Sequence, residues 1–269
     1  MAFRLLALDI DGTIRTPNRA PSPRTRSAIA SVENAGTIVT LATGRMSRSA
    51  QTVAKGLSLK NPIISSQGAT IIDPGTGESL WHRPLTPKMA SNAIETMSSW
   101  PSEILLYLRD EVYTTMNTPW VQAYGERNLG NLHIITDLNE VVDKPPTRLV
   151  AVGDEHHIQQ LNHKLTQRFN SHLHVTRSLP YFCEILHPQA GKKNALRWLC
   201  HHLSVPRKET IVFGNGYNDV EMVSWAGLGV AVTGSPPELL EVADMLAPTV
   251  EEDGAAIVLE SLLEQNAFR

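Results

Sequence analysis

The stretch Phe3-Arg4-Leu5-Leu6-Ala7-Leu8-Asp9-Ile10-Asp11-Gly12-Thr13 decides how this chain folds. A short apolar run that halts at glycine reads as a buried strand reaching its end. Open α/β sheets bind their ligands beyond the carboxyl ends of strands. Two carboxylates at such an end repel each other and are costly to desolvate. They make sense with a cation between them, or with one as nucleophile and the other as acid/base.

The same pattern recurs outward from it. Arg24–Ala35 carries Ala28, Ile29, Val32 and Ala35 at helical spacing, with Gly36 as its stop. Thr37–Ala42 is β-rich and ends in Thr43-Gly44-Arg45, and Pro62–Ser65 ends in Gln67-Gly68-Ala69. Near the other end, Lys193–Leu203 reads as helix and Thr210–Phe213 as a strand stopped by Gly214-Asn215-Gly216. Val220–Ala226 is a short helix, Leu228–Val232 a strand and Gly254–Leu263 a helix. Strands separated by helices predict a Rossmann-like α/β core with a parallel sheet. The middle of the chain differs. Ile104–Leu108 and Val112–Thr115 flank Arg109-Asp110-Glu111 as a hairpin, and Arg148–Val152 and Leu173–Val175 are further strands. Ile158, Leu161, Leu165 and Phe169 form one helical stripe behind Asp154-Glu155, a core-facing pattern. Pro84 and Pro87 precede this block, and Pro180 and Pro188 bracket its end. The expected division is a core of residues 1–83 and 184–269 with an inserted α+β domain over 84–183.

Bulk properties bound the function. The chain has 269 residues, 42% hydrophobic and 19% charged, and a net charge of −3, ordinary for a soluble globular protein. That balance points to neither nucleic acid nor membrane as partner. No apolar run approaches the roughly 20 residues needed to span a bilayer. Two cysteines, Cys183 and Cys200, far apart, suit a reducing cytoplasm. The paired histidines His156-His157 and His201-His202 lack convergent partners and read as surface residues rather than a zinc site.

Four segments resemble the motifs of the haloacid-dehalogenase-like (HAD) phosphatases, in their order. Asp9-Ile10-Asp11-Gly12-Thr13 resembles the first and Thr43-Gly44-Arg45 the second. Glu184-Ile185 with Lys192 and Ala195-Leu196 resembles the third. Gly214-Asn215-Gly216-Tyr217-Asn218-Asp219-Val220-Glu221-Met222 resembles the fourth. The spacing is that of the Cof-type class IIB branch, in which a large α+β cap interrupts the core. The resemblance implies a phosphatase acting on a small phosphorylated metabolite, a sugar phosphate first of all, through an aspartyl-phosphate. Asp9 would be the nucleophile, a known use of carboxylates. Asp11 would be the acid/base, and its backbone carbonyl would also reach the metal. Thr43 would donate to a phosphoryl oxygen and Lys192 would neutralise charge. Phosphate contacts would come from Asp11, Gly12, Thr43, Gly44, Arg45, Lys192 and Asn218. Mg²⁺ would be held by Asp9, Asp11, Asn215 and Asp219, since that ion prefers oxygen ligands and substrate phosphate.

The chain departs from the pattern at four places. Asn215 stands where an aspartate is usual, Gln67 and Ser235 where asparagines are usual, and Lys193 where a glycine is usual. Asn215 keeps a carbonyl oxygen for a hard cation but lacks the charge. Phosphotransfer to another alcohol, and a binding module with an impaired site, stand as alternatives. Tyr107, Arg109, Tyr181 and His187 are polar candidates for substrate contacts from the insertion. The expected assembly is a monomer or small homo-oligomer.

Overall fold

The computed structural model describes residues 2–16, 19–128 and 131–268. The chain opens with β1 (Leu5–Leu8), α1 (Pro23–Asn34), β2 (Ile38–Leu41), α2 (Ser47–Gly56), β3 (Ile63–Ser65), β4 (Thr70–Ile72) and β5 (Ser79–His82). Its middle holds α3 (Pro87–Met97), β6 (Ser102–Leu108), β7 (Glu111–Thr114), α4 (Pro119–Asn128), β8 (Asn131–Ile134), β9 (Arg148–Gly153), α5 (Glu155–Phe169), β10 (His174–Thr176) and β11 (Phe182–Leu186). It closes with α6 (Lys192–His202), β12 (Thr210–Gly214), α7 (Val220–Trp225), β13 (Leu228–Val232), α8 (Pro237–Leu240), β14 (Met245–Ala247) and α9 (Gly254–Glu264).

Five strands form a parallel sheet in the order β14-β13-β12-β1-β2. β1 is central and all four of its residues are buried, which explains its unbroken apolar run. Leu6 and Leu8 face a layer made by α1, α2 and α9, through Ile29, Val53 and Leu259 among others. Leu5 and Ala7 face the opposite layer, where α6, α7 and α8 contribute Leu196, Met222 and Leu239. Successive residues thus serve opposite faces. Winding reverses at β1, which lies between β2 and β12. That is the switch point where open α/β sheets place ligands.

The strand expected from Pro62–Ser65 corrects the sequence reading. β3 touches the parallel sheet through a single bridge, Ala42 to Ile64, and pairs antiparallel with β4. β4 pairs with β5, giving a three-stranded sheet of its own that sequence reading missed. A left-handed turn at Ser66 (φ 49°) and Gln67 (φ 57°) separates β3 from β4. That turn breaks the alternating strand-helix pattern and stops β3 from continuing into a helix.

The middle segment builds a six-stranded sheet in the order β10-β11-β9-β6-β7-β8. β6 and β7 form the expected hairpin, its turn carried by Arg109 in the left-handed region (φ 58°). α3 and α5 cover one face; Ile158, Leu161 and Leu165 are fully buried against Leu106, Ala151 and Ile185. The other face presents Leu105, Tyr107, Val150, Val152 and Phe182, joined by Met46 from the entry to α2. β11 runs on to Leu186 and pairs with β9 through Ile185, so the second sheet extends past residue 183. Cys183 and Cys200 are separate buried free thiols. His156, His157, His201 and His202 are exposed. No helix among the described residues is long and apolar enough to cross a membrane.

Candidate active site

The loops beyond β1, β2, β3 and β12 converge with the second sheet on one cleft of about 580 Å³. Its floor is the end of β1. The Asp9 amide still donates to Phe213 O at 3.0 Å, so Asp9 stands at the last hydrogen bond of the strand. The chain then turns: Gly12 N donates to Arg15 O at 2.8 Å, and Gly12 adopts φ 84°. A side chain at residue 12 would be strained there, and its Cβ would fall 2.1 Å from the Asn215 amide. This turn breaks strand alternation directly after Asp9, which lets Asp9 and Asp11 both reach the cleft.

Lys192 is the first residue of α6 and is 97% buried, since only 3% of it is exposed. Its Nζ donates to Asp9 Oδ1 at 2.7 Å and to Asp219 Oδ1 at 2.7 Å. Asp219 is fully committed, because its Oδ2 accepts from the amides of Asn215 and Gly216, each at 2.9 Å. Asp219 therefore anchors Lys192 and the turn after β12; neither of its oxygens is left facing the cleft. Burial pushes Asp9 up to about 7; Lys192 opposes that shift and Asp219 reinforces it. Burial works against the Lys192 charge as well, but its two carboxylate partners hold it well above the ordinary lysine range. Lys193 points elsewhere and pairs with Glu221 at 3.0 Å.

Asp11 turns toward α2. Arg45 grips it with two hydrogen bonds, Nε to Oδ2 at 2.6 Å and Nη2 to Oδ1 at 2.7 Å, a charge-assisted fork. Arg15 stands 3.8 Å from the same carboxylate. Thr43 is buried, and its Oγ1 accepts from the Arg45 amide at 3.1 Å, leaving the hydroxyl proton to donate. Gly44 lies against Gln67, whose Nε2 would be 2.5 Å from a Cβ there.

The Asn215 side chain closes the floor. Its inward amide atom stands 3.1 Å from Thr13 Oγ1, 3.0 Å from the Asp11 carbonyl oxygen and 3.2 Å from Asp9 Oδ2. Among the described residues no three His, Cys, Asp or Glu side chains gather in a way suited to a metal. A mixed set could hold one: Asp9 Oδ2, the Asp11 carbonyl and the Asn215 amide oxygen. Neighbouring ligands of an octahedral Mg²⁺, each at roughly 2.0–2.1 Å, stand about 3 Å apart. The observed separations of 3.0 and 3.2 Å fit that edge, and all three donors are hard oxygens.

A second polar cluster, which the sequence reading did not assemble, roofs the cleft. Glu184 Oε2 accepts from Arg148 Nη1 at 2.8 Å, and Oε1 accepts from Gln67 Nε2 at 2.6 Å and from the Ser178 hydroxyl. Arg148 Nη1 also donates to the Gly44 carbonyl at 2.7 Å, and its guanidinium lies over the Tyr107 ring. Asn218 Nδ2 donates to Gln67 Oε1 at 2.8 Å, so the amide nitrogen expected to meet phosphate is engaged by the roof. Arg148 did leave a signal in the sequence: a lone charge opening the apolar run Arg148-Leu149-Val150-Ala151-Val152 requires a buried partner. Trp120 and Tyr124 of α4 stack at 5.1 Å and line the cleft with Tyr181 and Phe182. Of the other substrate-contact candidates, Tyr107 is buried with its hydroxyl 2.6 Å from that of Tyr124. Arg109 occupies the hairpin turn. Ser235 is buried and donates to Val232 O at 2.6 Å.

Comparison with known proteins places this geometry. A family model described as haloacid dehalogenase-like hydrolase matches residues 6–259. An HMP-PP phosphatase of Cronobacter sakazakii is 28% identical over 238 residues, 88% of this chain and 86% of that protein. A solved haloacid dehalogenase-like hydrolase from Bacteroides thetaiotaomicron superposes with a TM-score of 0.82 at 27% identity, covering 97% of this chain and 99% of the other. A solved HAD subclass IIB sugar phosphatase shares the fold with a TM-score of 0.84 at 17% identity, over 96% of this chain and 98% of that one.

Proposed function

The chain belongs to the haloacid dehalogenase-like hydrolases, and from that membership we propose that it is a cytoplasmic, Mg²⁺-dependent phosphatase of small phosphorylated metabolites. The observation that carries this reading is a carboxylate at the end of the central strand, 2.7 Å from a buried lysine. Asp9 attacks phosphorus and carries the phosphoryl group as an aspartyl-phosphate until water removes it. Lys192 holds Asp9 in place and offsets the charge that gathers on the transferring group. The Thr43 hydroxyl donates to a phosphoryl oxygen. Asp11 gives a proton to the leaving alcohol and takes one from the attacking water. Arg45 keeps Asp11 at the cleft, and an arriving phosphate competes with Asp11 for the same guanidinium. Asp219 positions Lys192 and the Asn215 turn.

Asp9, the Asp11 carbonyl and Asn215 would hold Mg²⁺, which would supply Lewis-acid polarisation and offset repulsion between nucleophile and phosphate dianion. The middle segment, residues 84–183, serves as the cap that excludes water and reads the leaving group. Its lining of Trp120, Tyr124, Tyr181 and Arg148, with Glu184 just beyond the segment, favours a compact polar metabolite with a face that can stack, and sugar phosphates are the first class to assay.

A panel of phosphate esters, assayed with and without Mg²⁺, tests this reading against Asp9→Asn. The expected result is Mg²⁺-dependent release of inorganic phosphate by the natural chain and its loss in the variant. Substantial turnover by Asp9→Asn would overturn the nucleophile assignment.

A further inference from the structure

Asn215 offers the floor of the cleft two chemically different faces. An asparagine amide has an acceptor oxygen on one side and two N–H donors on the other, related by a half-turn about the Cβ–Cγ bond. The atom facing inward meets three oxygens, those of Thr13, Asp11 and Asp9, at 3.0 to 3.2 Å. Asp9 Oδ2 and the Asp11 carbonyl have no hydrogens to give, so an amide oxygen facing them is held by the Thr13 hydroxyl alone, at 3.1 Å, and set against two acceptors. Turned over, the amide nitrogen donates to Thr13 Oγ1 at 3.1 Å, to the Asp11 carbonyl at 3.0 Å and to Asp9 Oδ2 at 3.2 Å. Two hydrogens serve these three acceptors, the third being shared or met by the Thr13 hydroxyl turning to Asp9 Oδ2 at 3.4 Å. The oxygen-inward face keeps one hydrogen bond, from Thr13, and offsets its repulsion from the other two oxygens only with a cation among them. The nitrogen-inward face is favourable only with none.

We propose that Asn215 is a reversible stand-in for the cation. Its amide presents oxygen when Mg²⁺ is bound and turns its N–H groups onto the same two oxygens when Mg²⁺ leaves. This rests on the Mg²⁺ reading above and adds to it an exchange that an aspartate cannot make. A carboxylate at residue 215 has no donor to turn inward. It would face Asp9, with Asp219 already bound to the one available lysine, and three carboxylates would share a single buried positive charge. Asparagine therefore gives up cation affinity and keeps the floor hydrogen-bonded through the cation-free part of a cycle. The turn needs no room from the backbone. Gly12 leaves the space that the amide occupies, and a Cβ there would sit 2.1 Å from Nδ2.

The test compares the natural chain with Asn215→Asp and Asn215→Ala, reading stability and binding rather than turnover. In chelator, Asn215→Asp should melt lowest, by roughly 5 °C or more, as expected for one to two kcal/mol in a chain of this size. Asn215→Ala, which neither donates nor repels, should fall between the two. Saturating Mg²⁺ should raise the melting temperature of Asn215→Asp most. Calorimetry with Mg²⁺ alone should show affinity at least about tenfold tighter in that variant, because a ligand charge is added. By ¹⁵N NMR, one side-chain amide, identified by its absence from Asn215→Ala, should be protected from exchange in chelator and should shift on Mg²⁺ addition. Equal melting of Asn215→Asp and the natural chain in chelator, or an unmoved amide signal on Mg²⁺ saturation, would overturn the stand-in. Absence of Mg²⁺ binding to all three proteins would overturn the Mg²⁺ reading itself, and the stand-in with it. Binding without the amide response removes only the stand-in.

Discussion

Two buried charge clusters face each other across the cleft and differ in their balance. On the floor, Lys192 alone serves Asp9 and Asp219, which leaves one negative charge in excess. In the roof, Arg148 and Glu184 cancel, and Gln67, Ser178 and the Gly44 carbonyl take up further hydrogen-bonding capacity, with Arg148 Nε left without a hydrogen-bond partner among the described residues. A neutral cluster whose charges pair with each other is a strut. An open cluster with surplus charge and an oxygen left over is equipped to receive something positive or electrophilic. The contrast explains why Asp9 is pushed up to about 7 despite a lysine 2.7 Å away: burial and Asp219 together outweigh that one contact.

The comparison can be broken at either cluster. The largest effect is expected on the floor. Lys192→Met should cut kcat by about a thousandfold or more, since it removes the cation that pairs directly with Asp9, the proposed nucleophile. Steady-state kinetics on the best ester of the panel would show it, and a loss under tenfold would place Lys192 outside the chemistry. In the roof, the loss should be one of stability. Arg148→Met strands a buried carboxylate and should cost about 3–5 kcal/mol, whereas Arg148→Met with Glu184→Leu should recover most of that. Denaturant melts of the three proteins measure it, and equal melts for the single and double variants would refute the neutral-strut description. A smaller effect sharpens the floor's charge count. Mg²⁺ binding needs Asp9 ionised, and Asp9 holds its proton up to about 7. Binding at pH 7 should therefore release a fraction of a proton, and at pH 9 almost none, so apparent affinity rises with pH and levels off above about 8. Calorimetry in two buffers of different ionisation heat reports the released proton directly.

The floor was far more legible in the sequence than the roof, for a physical reason. Asp9, Thr43 and Asn215 each sit where an apolar strand stops at a glycine-bearing turn, so local pattern finds them and the parallel topology gathers them. Lys192 opens a helix behind Gly191, another local signal. The roof is assembled from residues whose separation in sequence carries no pattern: Gln67 and Glu184 are 117 positions apart, and Arg148 meets Gly44 across 104. Gln67 was visible as a departure from the family pattern, but its left-handed backbone and its reach to Glu184 and Asn218 exist only in three dimensions. Asp219 was legible only in part, in a similar way. Its place in the motif suggested a cation ligand, and only the geometry shows its oxygens engaged by Lys192 and by the amides of Asn215 and Gly216.

The bond from Arg148 to the Gly44 carbonyl ties the second sheet to the residue directly after Thr43. A movement that lifts that sheet must first pull on the peptide joining Gly44 and Arg45, whose N–H donates to the Thr43 hydroxyl, so the threonine registers whether the cleft is open or shut. Opening of the cleft and loosening of the loop that carries Thr43 are then one mechanical event.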